Sequence, residues 1–435
     1  MKEIGLRYGL SEIFLIIPDN SIIYRSNYPL VSDNPAKLLM NSITSPVGSS
    51  SFESRLLNRR EGNVVIVVSD ITRPIPYYEF LPQLLELIVR KGVKKEKILI
   101  LVATGMHRPS TLDEKKKMFG EMVVNQYRII DHNSQKDDEL IEIEGRSWSG
   151  GRVRLNKYYV EAGFRIITGL VEPHFMAGFS GGRKAICPGL ASLDAIQKFH
   201  GYEFLNHPNA GNAVLENNPC NNENCSVATL CPADFLINIV LDQKKKINSI
   251  ISGDQFLSHK KAVELVKERS CVVVNEIADL AITSCGGYPL DNTFYQCVKG
   301  FVNCMPALKN EGVLIAFGRC EEGIGSTEYK SIMIKYSQNY NQFIEDIKNN
   351  LFFIKDQWQL QMQIRVLDKI GVNNLHFYTS GIDDDRLNIL SVAPHAIAEH
   401  KIADAIQNQI NMAEMKGKKI AVFPEGPYCS PILKK

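Results

Sequence analysis

The sequence predicts an α/β protein of two domains with mainly parallel sheets. Three observations carry this reading. Short runs of β-branched and aliphatic residues, such as Asn63-Val-Val-Ile-Val-Val-Ser69, alternate with segments of helical periodicity. Polar, turn-forming motifs follow these runs at their carboxyl ends, where open α/β sheets bind ligands. A second set of the same alternation begins near residue 276, after a helical stretch.

Taken in order, Asn63–Ser69 reads as a buried strand and ends in Asp70-Ile-Thr-Arg-Pro-Ile-Pro76. A helix is expected over Tyr77–Lys91, with Phe80, Leu81, Leu84, Leu85, Leu87 and Ile88 on its apolar face. The strand Lys97–Ala103 ends in Thr104-Gly-Met-His-Arg-Pro109. A third strand, Arg165–Thr168, leads through Gly169 into Glu172-Pro-His-Phe-Met-Ala-Gly-Phe-Ser-Gly-Gly-Arg-Lys184. Asp70, Arg73, His107 and the His174–Lys184 segment are therefore expected along one sheet edge. Ser192–Phe199 reads as a helix ending at His200.

Beyond it, strands are expected at Leu280–Ser284 and Gly312–Phe317, with a helix over Asn292–Leu308 carrying Gln296 and Lys299 on one face. The domain reading is 1–262 for an N-terminal domain, rejoined by 416–435 through a final strand at Lys419–Phe423. A C-terminal domain spans 276–395, with 263–275 and 396–415 as connecting helical segments.

Composition narrows the function classes. The chain has 435 residues and a net charge of +2, from 50 basic and 48 acidic side chains. That balance argues against a nucleic-acid partner. No apolar run reaches the length of a membrane span, and the N-terminal residues lack a secretory pattern. The ten cysteines form no CxxC pair, and Cys220, Cys225 and Cys231 fit no standard zinc spacing. A cytoplasmic enzyme with free thiols is expected.

The Ser180–Lys184 segment is the densest in chemistry. Paired glycines let backbone N–H groups surround an anion, so Ser180, Gly181 and Gly182 are candidates for a phosphate seat. A tight turn with a solvated lysine is the simpler local alternative. It is not a Walker A loop: counting from Gly178, Arg183 stands where glycine is required, and Ala185 follows the lysine. His107 and His174 suit proton transfer, whereas a hydrogen-bonded structural role is the commoner fate of the remaining histidines. Arg73 offers a planar fork to a carboxylate or phosphate, or else a salt bridge pinning its own turn.

These motifs together resemble the nickel-pincer lactate racemase family. The resemblance also covers Ser284-Cys-Gly-Gly-Tyr-Pro-Leu-Asp291, Tyr295-Gln-Cys-Val-Lys299, Glu321-Glu-Gly-Ile-Gly-Ser326 and Asp356-Gln-Trp358, in order from about residue 45 onward. It implies a racemase or epimerase of a 2-hydroxy acid, working by reversible hydride transfer through a 2-keto acid. The implied cofactor is a pyridinium mononucleotide with two thio-acyl arms that pinch Ni(II), covalently bound to Lys184, with His200 as the nickel ligand. His107 and His174 would be the two bases, and Arg73, Lys299 and Gln296 would bind substrate. Cofactor contacts are implied for Lys184, Ser180, Gly181, Gly182, Asp70, Thr104, Tyr295 and Trp358. The implied partners are the small-molecule substrate and the enzymes that make the cofactor. The resemblance also implies an active site in the interdomain cleft, whose closure would keep water from the ketone.

Arg183, Leu290 and Gly163 depart from the usual pattern: a small residue, often a basic one, and an acidic one, respectively. Two other readings of the same residues are a hydride-transfer or Schiff-base enzyme using a free Lys184, and a non-catalytic mononucleotide-binding homologue.

Overall fold

A computed structural model describes residues 1–29, 34–337, 339–349 and 353–433. The chain forms two compact units: residues 28–200 with 209–268, and residues 1–27 with 201–208 and 269–435.

The first unit is built on a six-stranded sheet. Its spatial order is Ile247–Gly253, Phe235–Leu241, Phe164–Leu170, Val64–Ser69, Ile98–Ala103 and Arg128–Asp131. All neighbours are parallel except the pair at the Ile247–Gly253 edge. The run Val64–Val68 is buried throughout because both faces of the sheet are covered. Val64, Ile66 and Val68 enter one core with Phe52, Phe80 and Leu84, while Val65 and Val67 enter another with Leu155, Ile186 and Leu190. That two-sided burial explains why the sequence shows continuous apolar residues rather than alternation. The three strand ends at Ser69, Ala103 and Leu170 lie side by side, as the sequence motifs require.

The expected helix over Tyr77–Lys91 is divided. Tyr77–Glu79 is one 3₁₀ turn, and the α-helix runs Leu81–Arg90. Pro82 has no N–H to donate and would press its ring on the carbonyl four residues back, so the α-helix begins just before it. The third strand, in contrast, runs past Thr168 to Leu170. Gly169 permits this, because a Cβ there would lie 2.8 Å from the Cα of Gly181.

The second unit has a wholly parallel six-stranded sheet. Its order is Ala393–Ala396, Leu375–Thr379, Leu308–Phe317, Ala278–Ser284, Ile420–Phe423 and Ile22–Ile23. A hairpin of Lys2–Tyr8 and Ser11–Ile17 packs with Ile402, Ile406 and Ile410 of the helix Glu399–Met415. The expectation that residues 416–435 rejoin the N-terminal domain fails. All four residues of Ile420–Phe423 are buried, and the strand takes the slot between Ala278–Ser284 and Ile22–Ile23. A strand of that kind needs a neighbour on each side, and these two supply it. Residues 1–27 likewise belong to this unit, not to the N-terminal domain. The segment 263–275 is no simple connector either: the helix Leu257–Ser270 is followed by Cys271–Val274, which pairs with Ser430–Leu433. The expected Asn292–Leu308 helix runs Phe294–Cys304, and Leu308 already starts a strand. Among the described residues, no helix is long and apolar enough to cross a membrane.

Phe52 gives a test of the first core. It is fully buried, with its ring edge-on to Phe164 at 6.0 Å and to Phe235 at 5.1 Å. Phe52→Ala is expected to cost about 3–5 kcal/mol in urea unfolding of this unit. A cost below about 1 kcal/mol would show that these rings do not anchor the sheet.

Candidate active site

Asp70 begins the site. It lies just beyond the Val64–Ser69 strand with its carboxylate buried. One oxygen stands 2.5 Å from Nδ1 of His107, and the other accepts from the N–H and O–H of Thr72 at 3.2 and 2.6 Å. An ionised carboxylate can only accept, so His107 carries its proton on Nδ1 and presents a lone pair at Nε2. Burial pushes the Asp70 carboxyl up, but the hydrogen bond and charge of His107, with Thr72 and Arg73, outweigh it and hold it below the ordinary value. The His107 backbone is fixed by a turn in which its N–H donates to Thr104 at 2.9 Å, with Gly105 at a φ of +57°.

Arg73 sits close enough for its charge to act on Asp70. Among the described residues, no ion pair or side-chain hydrogen bond engages its guanidinium, so the salt-bridge alternative for this turn is not realised. Thr104 donates its hydroxyl to the carbonyl of His132 at 2.6 Å and is buried. Asp70 and Thr104 therefore brace His107 and its turn within the protein.

His174 lies on a two-residue strand paired with Gly178–Phe179. Its Nδ1 accepts the N–H groups of Met176 and Ala177 at 3.3 and 3.2 Å. Nε2 is 3.1 Å from Nζ of Lys184, and a charged lysine can only donate, so this contact competes with the two backbone N–H groups for the ring's acceptor nitrogen. Lys184 projects from the short 3₁₀ turn Gly182–Ala185, with Nζ 5.6 Å from the Phe199 ring centre.

The turn before Lys184 is held by many short contacts. Ser180 donates its hydroxyl to Leu170 at 2.7 Å and is buried. That hydroxyl ties the turn to the strand end. Gly181 and Gly182 have φ of +76° and +54°. A Cβ on Gly181 would lie 2.7 Å from Val171, and one on Gly182 would lie 2.5 Å from the His259 ring. The glycines are thus required by the protein's own packing, besides any ligand.

His200 caps the carboxyl end of the helix Leu193–Phe199, and its Nδ1 donates to the Ile196 carbonyl at 2.9 Å. The lone pair is left at Nε2. Desolvation, with Lys184 and His107 nearby, pushes its pKa down to about 3, against the backbone hydrogen bond. Lys184 and His107 are close enough for their charges to act on His200, and His174 touches Lys184.

In the second unit, a single carboxylate joins three separate sequence motifs. Asp356 accepts from Tyr295 Oη at 3.1 Å and from Ser326 Oγ at 2.6 Å. Trp358 Nε1 donates to Tyr295 Oη at 2.9 Å. Asp356 holds a left-handed φ of +68°, which costs a residue with a Cβ roughly 1–2 kcal/mol. The Gln359 amide donates to the Tyr295 carbonyl. Gln296 has its Oε1 buried without a hydrogen-bond partner among the described residues. Gln296 and Lys299 share one face of the helix Phe294–Cys304. Asp356 was within reach of the sequence, inside the Asp356-Gln-Trp358 motif, but only the structure gives it a task.

Two other residues carry no local signal. Asn218 donates its amide to Met176 and Val214 carbonyls at 2.8 and 2.9 Å, closing the loop that carries His174. His259 reaches the Ser180 carbonyl at 2.9 Å from a helix far along the chain.

Comparison with known proteins gives the family and the fold. Residues 8–213 match the lactate racemase N-terminal domain, and residues 273–428 match the lactate racemase C-terminal domain. The lactate racemase of Thermoanaerobacterium thermosaccharolyticum is 37% identical over 379 residues, covering 84% of this chain and 86% of the relative. That of Lactiplantibacillus plantarum is 35% identical over 387 residues, with 88% of each covered. The solved lactate racemase apoprotein of T. thermosaccharolyticum superposes with a TM-score of 0.86 at 33% identity, covering both chains fully. A Thermotoga maritima protein shares the fold alone, with a TM-score of 0.64 at 16% identity over 90% of this chain and all of its own.

The buried histidines predict an acid-sensitive fold. Burial holds His132 down to about 4 and His259 down to about 3, against an ordinary 6.5. Below pH 6.5 the unfolded chain binds these protons while the folded chain does not, so stability falls as pH drops toward 4. Each histidine contributes up to about 1.4 kcal/mol per pH unit. The urea midpoint of the first unit should fall between about pH 7 and pH 5, and His132→Gln should flatten the slope. A constant midpoint would contradict the neutral assignment.

Proposed function

The chain belongs to the lactate racemase family, and from that premise we propose that it interconverts the enantiomers of lactate or a closely related 2-hydroxy acid. The proposal includes a nickel-pincer nucleotide carried on Lys184. The observation that supports it most is the gathering of His174, Lys184, His200 and the Asp70–His107 pair at neighbouring strand ends of one sheet.

The residues fit such a group. The His200 Nδ1–H is committed to a backbone carbonyl, which leaves Nε2 as the donor nitrogen a divalent transition metal takes. Among the described residues, no group of three or more His, Cys, Asp or Glu is arranged to hold a metal. A metal on His200 would therefore draw its other donors from a cofactor, as two sulfurs and a carbon of the pincer would provide. When bound, the nucleotide supplies an acceptor that takes the α-hydrogen as hydride and gives it back.

The chain's own residues then have these parts. Nε2 of His107 takes the substrate hydroxyl proton, and Asp70 stabilises the imidazolium that results. His174 serves the hydroxyl of the other enantiomer, its ring orientation set by the Met176 and Ala177 N–H groups. Arg73 presents an uncommitted guanidinium suited to the substrate carboxylate. In the second unit, Lys299 and Gln296 are assigned to substrate. Tyr295 and Trp358, fixed by Asp356, supply a rigid aromatic surface. Leu290 stands in the Gly-Gly-Tyr-Pro-Leu-Asp turn, packed near Gly286.

Intact-mass spectrometry of protein produced with the cofactor-making enzymes tests the assignment. A covalent adduct and nickel are expected, with the adduct lost in Lys184→Ala. His107→Ala should lower kcat by about 10²–10⁴ while retaining the adduct. Arg73→Ala should chiefly raise KM. An active enzyme with unmodified Lys184 would overturn the tether, and full activity in His107→Ala would remove the base.

A further inference from the structure

Arg183 precedes the functional lysine, yet its side chain turns away from it and into the protein. The guanidinium is buried, and it donates to Asn221 Oδ1 at 3.0 Å, Asn224 Oδ1 at 3.5 Å and His259 Nδ1 at 3.1 Å, with the Cys225 thiol as a further partner and the charge of Asp254 within reach. It also lies 5.5 Å from the Phe256 ring centre. Among the described residues, no carboxylate comes within ion-pair distance of it. A desolvated cation whose partners are neutral depends on every one of those acceptors.

Arginine can only donate, so His259 must accept at Nδ1 and carry its proton on Nε2. That proton is donated to the Ser180 carbonyl at 2.9 Å. The His259 ring also lies directly under Gly182, where a Cβ would stand 2.5 Å from it. The chain of contacts thus runs from Asn221 and Asn224 through Arg183 and His259 to both ends of the Ser180–Gly182 turn. Lys184 follows at once, its N–H donating to Gly181 at 3.3 Å.

We propose that Arg183 and His259 form a brace that fixes the Ser180–Gly182 turn and so positions Lys184. Both are positioning residues: neither needs to touch substrate. Arg183 sets the tautomer of His259, and His259 supports the turn by one hydrogen bond and by ring contact. The brace is a property of the protein alone, while its importance for catalysis rests on the role proposed above for Lys184.

The test uses cofactor-free protein and two readouts on the turn itself. These are amide hydrogen exchange over residues 181–185, and the rate at which an acetylating reagent labels Lys184, followed by peptide mass spectrometry. His259→Leu should raise both by about tenfold or more, as a local opening would. His259→Gln, whose amide can accept from Arg183 and donate to Ser180, should stay within about twofold of wild type. Arg183→Met should resemble His259→Leu, and the double variant should add little, because one brace is lost in either case. If His259→Leu does not fold, Arg183→Met carries the same test. Folded Arg183→Met or His259→Leu protein with wild-type exchange and labelling at 181–185 would overturn the brace. A missing adduct on wild-type Lys184, with the turn protected as expected, would count against the tether and leave the brace standing.

Discussion

The site depends on one close approach: the turn that carries Lys184 is pressed against the end of the Phe164–Leu170 strand. Gly169 lacks the Cβ that would meet Gly181, and Ser180 donates its hydroxyl to Leu170. The strand is itself central to a sheet with both faces covered, so it cannot shift to accommodate a displaced turn. From that contact follow the place of Lys184, its 3.1 Å approach to His174 and its proximity to His200. A reactive lysine on a free loop would lose this placement to chain entropy. Here the entropy is removed by packing and by hydrogen bonds made before any ligand arrives.

The histidines show how backbone and neighbours give one residue type different chemistry. A carboxylate holds the proton of His107 on Nδ1. Two backbone N–H groups orient the ring of His174, whose Nε2 faces Lys184. A helix carbonyl takes the Nδ1 proton of His200, which puts the ring's lone pair on Nε2. A guanidinium on one side and a carbonyl on the other fix His259 as a structural support. For His107, His200 and His259 the tautomer is set by a partner within the protein, so the pattern does not rely on the substrate.

Much of this was legible in the sequence, for local reasons. Buried parallel strands show as unbroken apolar runs, and the polar motifs stand directly after them, so the shared edge of Asp70, His107 and His174 could be expected. The start of the helix at Leu81 was also written there, in Pro82, though periodicity alone ran past it. What was not legible is which distant partner completes each group. Ile420–Phe423 reads as a strand from its own residues, but only the register shows that it joins Ala278–Ser284. Asp70 and Ser180 are ligand contacts by the resemblance, and no local pattern shows that His107 and Leu170 are also their partners. Arg183 reads as an added charge beside the lysine, yet it extends beneath the turn to helices 38 to 76 residues further on. Asp356, whose left-handed backbone has no sequence signature, ties Tyr295 to Ser326 across the second unit.

The central claim is that the α-hydrogen leaves the substrate and returns to it without passing through water, while His107 and His174 handle only the hydroxyl proton. The most direct measurement is racemisation of lactate deuterated at C2 by cofactor-loaded protein in ordinary water, with isotope content read separately in each enantiomer. The account predicts deuterium retained in both enantiomers at equilibrium. Progressive replacement of that deuterium by solvent hydrogen during racemisation would contradict it, and would make one of the two histidines a base acting on carbon.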